Sequence, residues 1–256
     1  MLLAVPNVSE GRDPEAVAAI GAAFGVRVLD VHTDADHHRS VFTLAGDDLA
    51  NAVARGAEEV IRRIDLREHA GVHPRVGALD VAPIVYLNEA DRGAATAAAL
   101  VLADRLGELG LPVYLYGAFG PTRAELRRPG ALDDRPPDFG PPYPHPTAGA
   151  VLVTVRPPLV AFNVEVDATL DEARRIAREV RQLPGVVALG VPLGDAAVQV
   201  TANLEGETTP AQLVAAVRRH ARVLGAELVG LAPEAAFADF PEDVPMAAPR
   251  LIERVL

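Results

Sequence analysis

The chain has no cysteine and, among its 24 basic residues, no lysine; every one of them is arginine. Without cysteine there is no disulfide, no thiolate nucleophile and no cysteine-based zinc site. Without lysine there is no Schiff-base chemistry and no P-loop lysine. Tryptophan is also missing, and aromatic residues make up only 4% of the chain. With a formal net charge of −11, this scarcity argues against nucleic-acid binding, which needs a basic face and often stacks bases on strand-borne aromatics. A small anionic substrate stays open if arginines gather locally. No stretch approaches the roughly 18 apolar residues of a membrane helix. The start, "MLLAVPNVSEGR", meets Glu10 and Arg12 too early for a signal peptide. No membrane partner and a cytoplasmic location are expected.

What is present is an ample core: half of the 256 residues are hydrophobic. "LLAVPNV" reads as a strand, and Asp13-Pro14 opens the helix "PEAVAAIGAAF". The strands "VRVLDV" and "SVFTLAG" follow. A helix then runs from Asp47-Asp48 to about Ile64, and the strand "ALDVAPIVYL" closes the unit. The second half repeats the order. "LVAFNVEV" is a strand, and "TLDEARRIAREVRQL" is a helix with a Thr169–Glu172 capping box. "GVVALGVPL" and "AAVQVTANL" form a hairpin about Gly194-Asp195. "TPAQLVAAVRRHARVL" is a helix and "AELVGLA" the last strand. Each half reads β-α-β-β-α-β. The expected fold is α+β, two ferredoxin-like subdomains from an internal duplication, residues 1–150 and 151–256, with a ligand cleft between them. Between the two units lie the helix "EADRGAATAAALVLADRLGEL", the strand "LPVYLYG" and a long loop, 120–149. The loop's charged first half, to Arg135, reads as a flexible linker. Its second half, "PDFGPPYPHPTAG", is stiffened by prolines and offers Phe139, Tyr143 and His145 to a flat ligand.

Three polar constellations stand out. "DVHTDADHHRSV" crowds Asp30, His32, Asp34, Asp36, His37 and His38 together. It can be read as a metal site, as a polar loop, or as a substrate loop in which Arg39 holds a carboxylate. "LREHAGVHPRVGALDVAP" sets His69 and His73 four apart. Gly71 and Pro74 spoil a shared helical face, so a metal-binding helix is set aside. His73 then sits in a turn beside Arg75, where a histidine suits acid–base work on an anion, although most lone histidines are structural or exposed. His69 reads as support or surface. Asn163 lies on an otherwise apolar strand and needs partners, either backbone or ligand.

These segments resemble the formiminotransferase domain family. The matching runs are "VPNVSEGR", "HAGVHPRVGALDVAP", "LPVYLYG", "PDFGP", "AFNV", "VQVTANL" and "ELVGLAP", spread nearly end to end. The resemblance implies an enzyme of one-carbon metabolism and histidine degradation, a glutamate formimidoyltransferase. It implies transfer of a formimino group from N-formimino-L-glutamate to N5 of tetrahydrofolate, with tetrahydrofolate as acceptor substrate. His73 would be the catalytic residue, base and then acid. Gly140, Tyr143, His145 and Gly149 would fall in the folate segment near 137–149. Arg39, Arg75, Arg156, Asn7 and Asn163 are the substrate-binding candidates, no metal is expected, and a homodimer is implied. Departures from the family's pattern are His32 for an aspartate, His38 for an asparagine, and Val151 and Val153 for smaller residues. They keep two alternatives in view: glutamate-dependent use of 5-formyltetrahydrofolate, and a non-catalytic folate or amino-acid binding homologue.

Overall fold

The structure, a computed structural model, describes residues 1–71, 74–194 and 197–256. It is a mixed α+β chain with two sheets that divides into two compact units, Met1–Pro157 and Pro158–Leu256. No helix among the described residues is long and apolar enough to cross a membrane.

The first unit opens with two short strands rather than one, β1 (Leu2–Ala4) and β2 (Asn7–Val8). Pro6 has no N–H to give to a ladder, so the strand breaks there and resumes. Both pieces pair with the same neighbours. Helix α1 (Pro14–Ala23) starts where expected: Asp13 accepts from the backbone N–H of Glu15 and Ala16, and Pro14 fills the first position. β3 (Arg27–Asp34) and β4 (Arg39–Ala45) form a hairpin. α2 (Leu49–Arg63) is capped by Asp48 and buries Leu49, Val53, Ala57 and Val60 at helical spacing. β5 (Leu79–Tyr86) is buried throughout, α3 (Arg92–Glu108) crosses back, and β6 (Val113–Leu115) follows.

Two elements depart from the sequence reading. The charged first half of the 120–149 loop holds a short helix, α4 (Arg123–Leu126), closed by a Thr122–Glu125 capping box. Leu126 is buried with Tyr114, Tyr116 and Leu152, so this segment is anchored and is not a flexible linker. Val151–Arg156, to which the pattern assigns no element, forms β7 and lies parallel to both β5 and β6. The sheet runs β1-β4-β2-β5-β7-β6, with β3 on the outer side of β4.

The second unit contains β8 (Val160–Asp167), α5 (Leu170–Val180), β9 (Val186–Leu193), β10 (Ala197–Leu204), α6 (Pro210–Arg218) and β11 (Arg222–Val229). A short helix, α7 (Ile252–Val255), ends the chain. The sheet order is β11-β8-β10-β9, all antiparallel. Capping boxes at Thr169–Glu172 and Thr209–Gln212 start α5 and α6. The pattern carries α6 on to Leu224, but the helix stops at Arg218. Residues from Arg222 instead pair with β8, around a bulge between Val223 and Gly225. Phe162, Val164, Ile176, Val200 and Val217 lie at the centre of this unit's core.

Candidate functional site

The polar residues of the first unit gather where the β3–β4 turn meets the segment after α2. His38 sits in that turn with φ of 51°, the one described non-glycine residue in the left-handed region. This conformation turns its ring toward the segment that opens the chain. His38 Nδ1 accepts from the Gly11 N–H at 3.1 Å, and Glu10 Oε1 lies 3.4 Å from the same nitrogen. Gly11 is required: a Cβ there would stand 2.2 Å from the Asp34 carbonyl oxygen. His69 stacks on His38, ring centroids 4.1 Å apart and planes 21° from parallel. Both ring nitrogens of His69 are buried, close to the backbone of His38 and Ser9.

Burial lowers the pKa of both histidines. Glu10 opposes the shift at His38, whereas at His69 the Arg75 and His38 charges add to it. Both shifts favour the neutral ring, which agrees with His38 Nδ1 acting as an acceptor. His69 is support for this turn, and Gly71 seals it: a Cβ there would lie 2.8 Å from His38 Cβ and 2.9 Å from the His37 carbonyl oxygen. Arg75 reaches back to donate to the Gly71 carbonyl. Val72 and His73 lie outside the described residues.

In the same turn Asp34 accepts from the His37 backbone N–H at 2.9 Å and from its ring. Burial pushes the Asp34 carboxyl up, but the His37 hydrogen bonds outweigh it and hold it at about 2. His32 is half-buried on β3 opposite Val41.

The loop singled out for stiffness is tied to the other side of this segment. Gly77 bridges Gly149, the Ala150 N–H donates to the Val76 carbonyl at 3.0 Å, and the Ala78 N–H donates to the Ala148 carbonyl at 2.8 Å. His145 and Gly149 exchange backbone hydrogen bonds at 2.8 and 2.9 Å, and His145 Nδ1 accepts from the Thr147 and Ala148 N–H groups. Gly149 (φ 70°) meets the Val76 carbonyl so closely that no Cβ fits. Gly140 (φ 80°) lies against Gly107 and the Leu111 carbonyl, farther along the loop. Tyr143 is 77% exposed and presents its ring outward.

The remaining candidates are spread out. Arg39 begins β4 and is largely desolvated, which lowers it to about 10; Asp80 and Asp34 counter that, while Arg127 and Arg123 add to it. Asn7 lies in β2 between Val41 and Val81, and its Nδ2 donates to the Val5 carbonyl at 3.1 Å. Arg156 ends β7 and donates to the Pro157 carbonyl. It stands at the opposite end of that strand from Gly149, about 23 Å along the backbone at a strand's rise per residue. Asn163 belongs to the second unit, where it pairs with Thr201 and Glu227 across the sheet. Its Nδ2 donates to Glu227 Oε2 at 3.0 Å, and its buried Oδ1 has no partner.

One feature was missed in the sequence reading. Asp80, on β5, is 2% exposed and accepts from the Val76 N–H at 2.8 Å and from the Arg127 guanidinium. The signal for it is a lone aspartate in the apolar run "GALDVAP". Its arginine comes from the segment read as linker.

A sequence profile for the formiminotransferase domain, N-terminal subdomain, matches residues 1–156. The chain belongs to the formiminotransferase family. A glutamate formimidoyltransferase of Streptococcus pyogenes is 35% identical over an alignment of 273 residues, covering 93% of this chain and 91% of the relative. One from Thermoplasma acidophilum is also 35% identical, covering 92% and 89%. The formimidoyltransferase-cyclodeaminase of Gallus gallus is 36% identical over 93% of this chain, and the chain spans about half (51%) of that longer relative. Members of the family are transferases, and this chain is an enzyme of that class.

Proposed function

We propose that the protein moves a formimino group from N-formimino-L-glutamate to N5 of tetrahydrofolate. The observation that carries this reading is the backbone seam joining Val76–Ala78 to Ala148–Ala150. It ties the strand end that follows Arg75 to the proline-stiffened loop, so an arginine for a carboxylate and a surface for a flat ring come from one part of the first unit. The names of the relatives support the choice of group transferred.

In this reading N5 attacks the formimino carbon. His73 accepts the proton that N5 loses and then gives a proton to the departing glutamate amine. Arg39 and Arg75 hold carboxylates. Gly140, Tyr143, His145 and Gly149 line the folate segment, with the exposed Tyr143 ring free to stack on the pterin or the benzoyl group. Each unit is read as ferredoxin-like, and the pair as a duplication. The strand order β11-β8-β10-β9 of the second unit is matched in the first by β5, the broken β1/β2 strand, β4 and β3.

The test is glutamate release from N-formimino-L-glutamate in the presence of tetrahydrofolate. The wild type should turn over, and His73→Ala should lower kcat by about 100-fold or more. Turnover that survives the substitution rejects the role of His73. Tight folate binding without turnover of this donor, or turnover only with 5-formyltetrahydrofolate and glutamate, rejects the formimino reaction.

A further inference from the structure

Asp80 is a buried charge that none of the roles above uses. It is 2% exposed on β5, and a carboxylate so desolvated needs donors on its oxygens. It has them on both sides. Oδ1 accepts the Val76 N–H at 2.8 Å, and Oδ2 accepts from the Arg127 guanidinium, itself largely buried. Arg127 follows directly on Leu126, which is packed among Val81, Tyr114, Tyr116 and Leu152. The carboxylate therefore has little freedom to turn: β5 holds its base and the anchored α4 segment holds its tip.

Val76 lies ahead of β5 and in no strand, so its N–H needs an acceptor from outside a ladder. Asp80 supplies it. The residues that follow are fixed in turn. The Val76 carbonyl accepts from the Ala150 N–H at 3.0 Å, and the Gly77 carbonyl from the buried Ser9 hydroxyl at 2.9 Å. Ala78 donates to the Ala148 carbonyl at 2.8 Å and accepts from the Ser9 N–H at 2.7 Å. The bond to Asp80 ends this series on the Arg75 side. The Val76 N–H belongs to the planar peptide group that joins Arg75 to Val76, so holding it fixes the plane on which the Arg75 side chain is mounted. Asp80 also favours the charged form of Arg75: burial lowers its pKa, and the Asp80 charge opposes that.

We propose that Asp80 is a positioning residue for donor binding: through the Val76 N–H it sets the backbone from which Arg75 reaches the donor's carboxylate, and Arg127 keeps the Asp80 side chain in that role. The donor and the part given to Arg75 rest on the transferase reading above; the lock itself rests on the hydrogen bonds.

The experiment uses the full chain. Affinity for N-formimino-L-glutamate is read by calorimetric titration without folate, and kcat by glutamate release at saturating donor and tetrahydrofolate. Removing one partner of a buried ion pair strands the other charge, so both are exchanged together. Asp80→Leu with Arg127→Met keeps the bulk and removes the acceptor of the Val76 N–H. Asp80→Asn with Arg127→Gln removes both charges and keeps an acceptor. The first exchange should weaken donor binding about tenfold or more with kcat within about threefold of the wild type, and the second should restore affinity to within about threefold. In an Arg75→Ala background the first exchange should weaken binding no further, because its effect runs through Arg75. Thermal melts check that each variant folds. If the first exchange does not fold, Asp80→Ser with Arg127→Met takes its place under the same expectations, since a water can then reach the Val76 N–H without fixing it. The role is overturned if the acceptor-free exchange leaves affinity unchanged, if it weakens binding by the same factor with and without Arg75, or if the second exchange binds as weakly as the first. A wild type that binds the donor but releases no glutamate rejects the reaction and not this role. Arg75→Ala with wild-type affinity, or a wild type that does not bind the donor, rejects the reading of Arg75 and this proposal together.

Discussion

His38 concentrates what the sequence reveals and conceals at the scale of one residue. A φ of 51° is available to asparagine at little cost, is tolerated by histidine, and is strained for a β-branched side chain. His38→Val should therefore cost about 1–3 kcal/mol in urea unfolding, while His38→Asn should cost clearly less. Equal losses in the two variants would mean that the His69 stack, not the backbone, sets the requirement. The same two histidines set a pH dependence. Both are held below the ordinary value of 6.5, so the folded state binds fewer protons than the unfolded one. Stability is then full above pH 6.5 and falls as the pH drops through the lower folded values. The thermal midpoint should decline across that window, and His38→Asn, which removes one titrating ring, should flatten the decline. A midpoint that rises on acidification contradicts the assignment. Sequence spacing separated His69 from His73 through Gly71 and Pro74. It could not pair His69 with His38, because that contact is made by tertiary folding across α2.

At the scale of elements, the legible parts are those with a local chemical signature. Asp13-Pro14, Thr169–Glu172 and Thr209-Pro210 start helices where the structure starts them, because caps and first-turn prolines act within a few residues. β7 was not legible, because a buried parallel strand is an apolar run without alternation and is defined only by the neighbours it pairs with. Only the second half of β11 was legible, as "AELVGLA"; its start was hidden because Val217, Ala221 and Leu224 continue a helical spacing, and no glycine or proline intervenes before Gly225. α4 was obscured by its charge. Its burial makes a direct prediction: Leu126, 3% exposed, is anchored on the sheet, so Leu126→Ala should cost about 2–4 kcal/mol. A shift in denaturation midpoint within about 0.5 kcal/mol would return the segment to the status of a linker.

The whole molecule is two compact units, each with its own sheet and core, and this has a consequence for folding. The second unit has a four-stranded sheet, two capped helices and an aromatic cluster in which Phe162 meets Phe237 and Phe240 edge-on, at 6.0 and 5.7 Å. Both phenylalanines beyond the last strand come from the C-terminal segment, so that segment closes the core of its own unit. A fragment of this length can bury enough apolar surface to fold alone. Residues 158–256 expressed by themselves should therefore unfold in one cooperative thermal transition. Phe162→Ala should lower the fragment's stability by about 3–5 kcal/mol, which is enough to unfold a small domain. Circular dichroism melts of the two fragments decide the matter. A broad, non-cooperative melt of the unmutated fragment would mean that its core is not self-sufficient and that the two units fold as one. A cooperative melt that Phe162→Ala leaves in place would move the centre of that core away from the aromatic cluster.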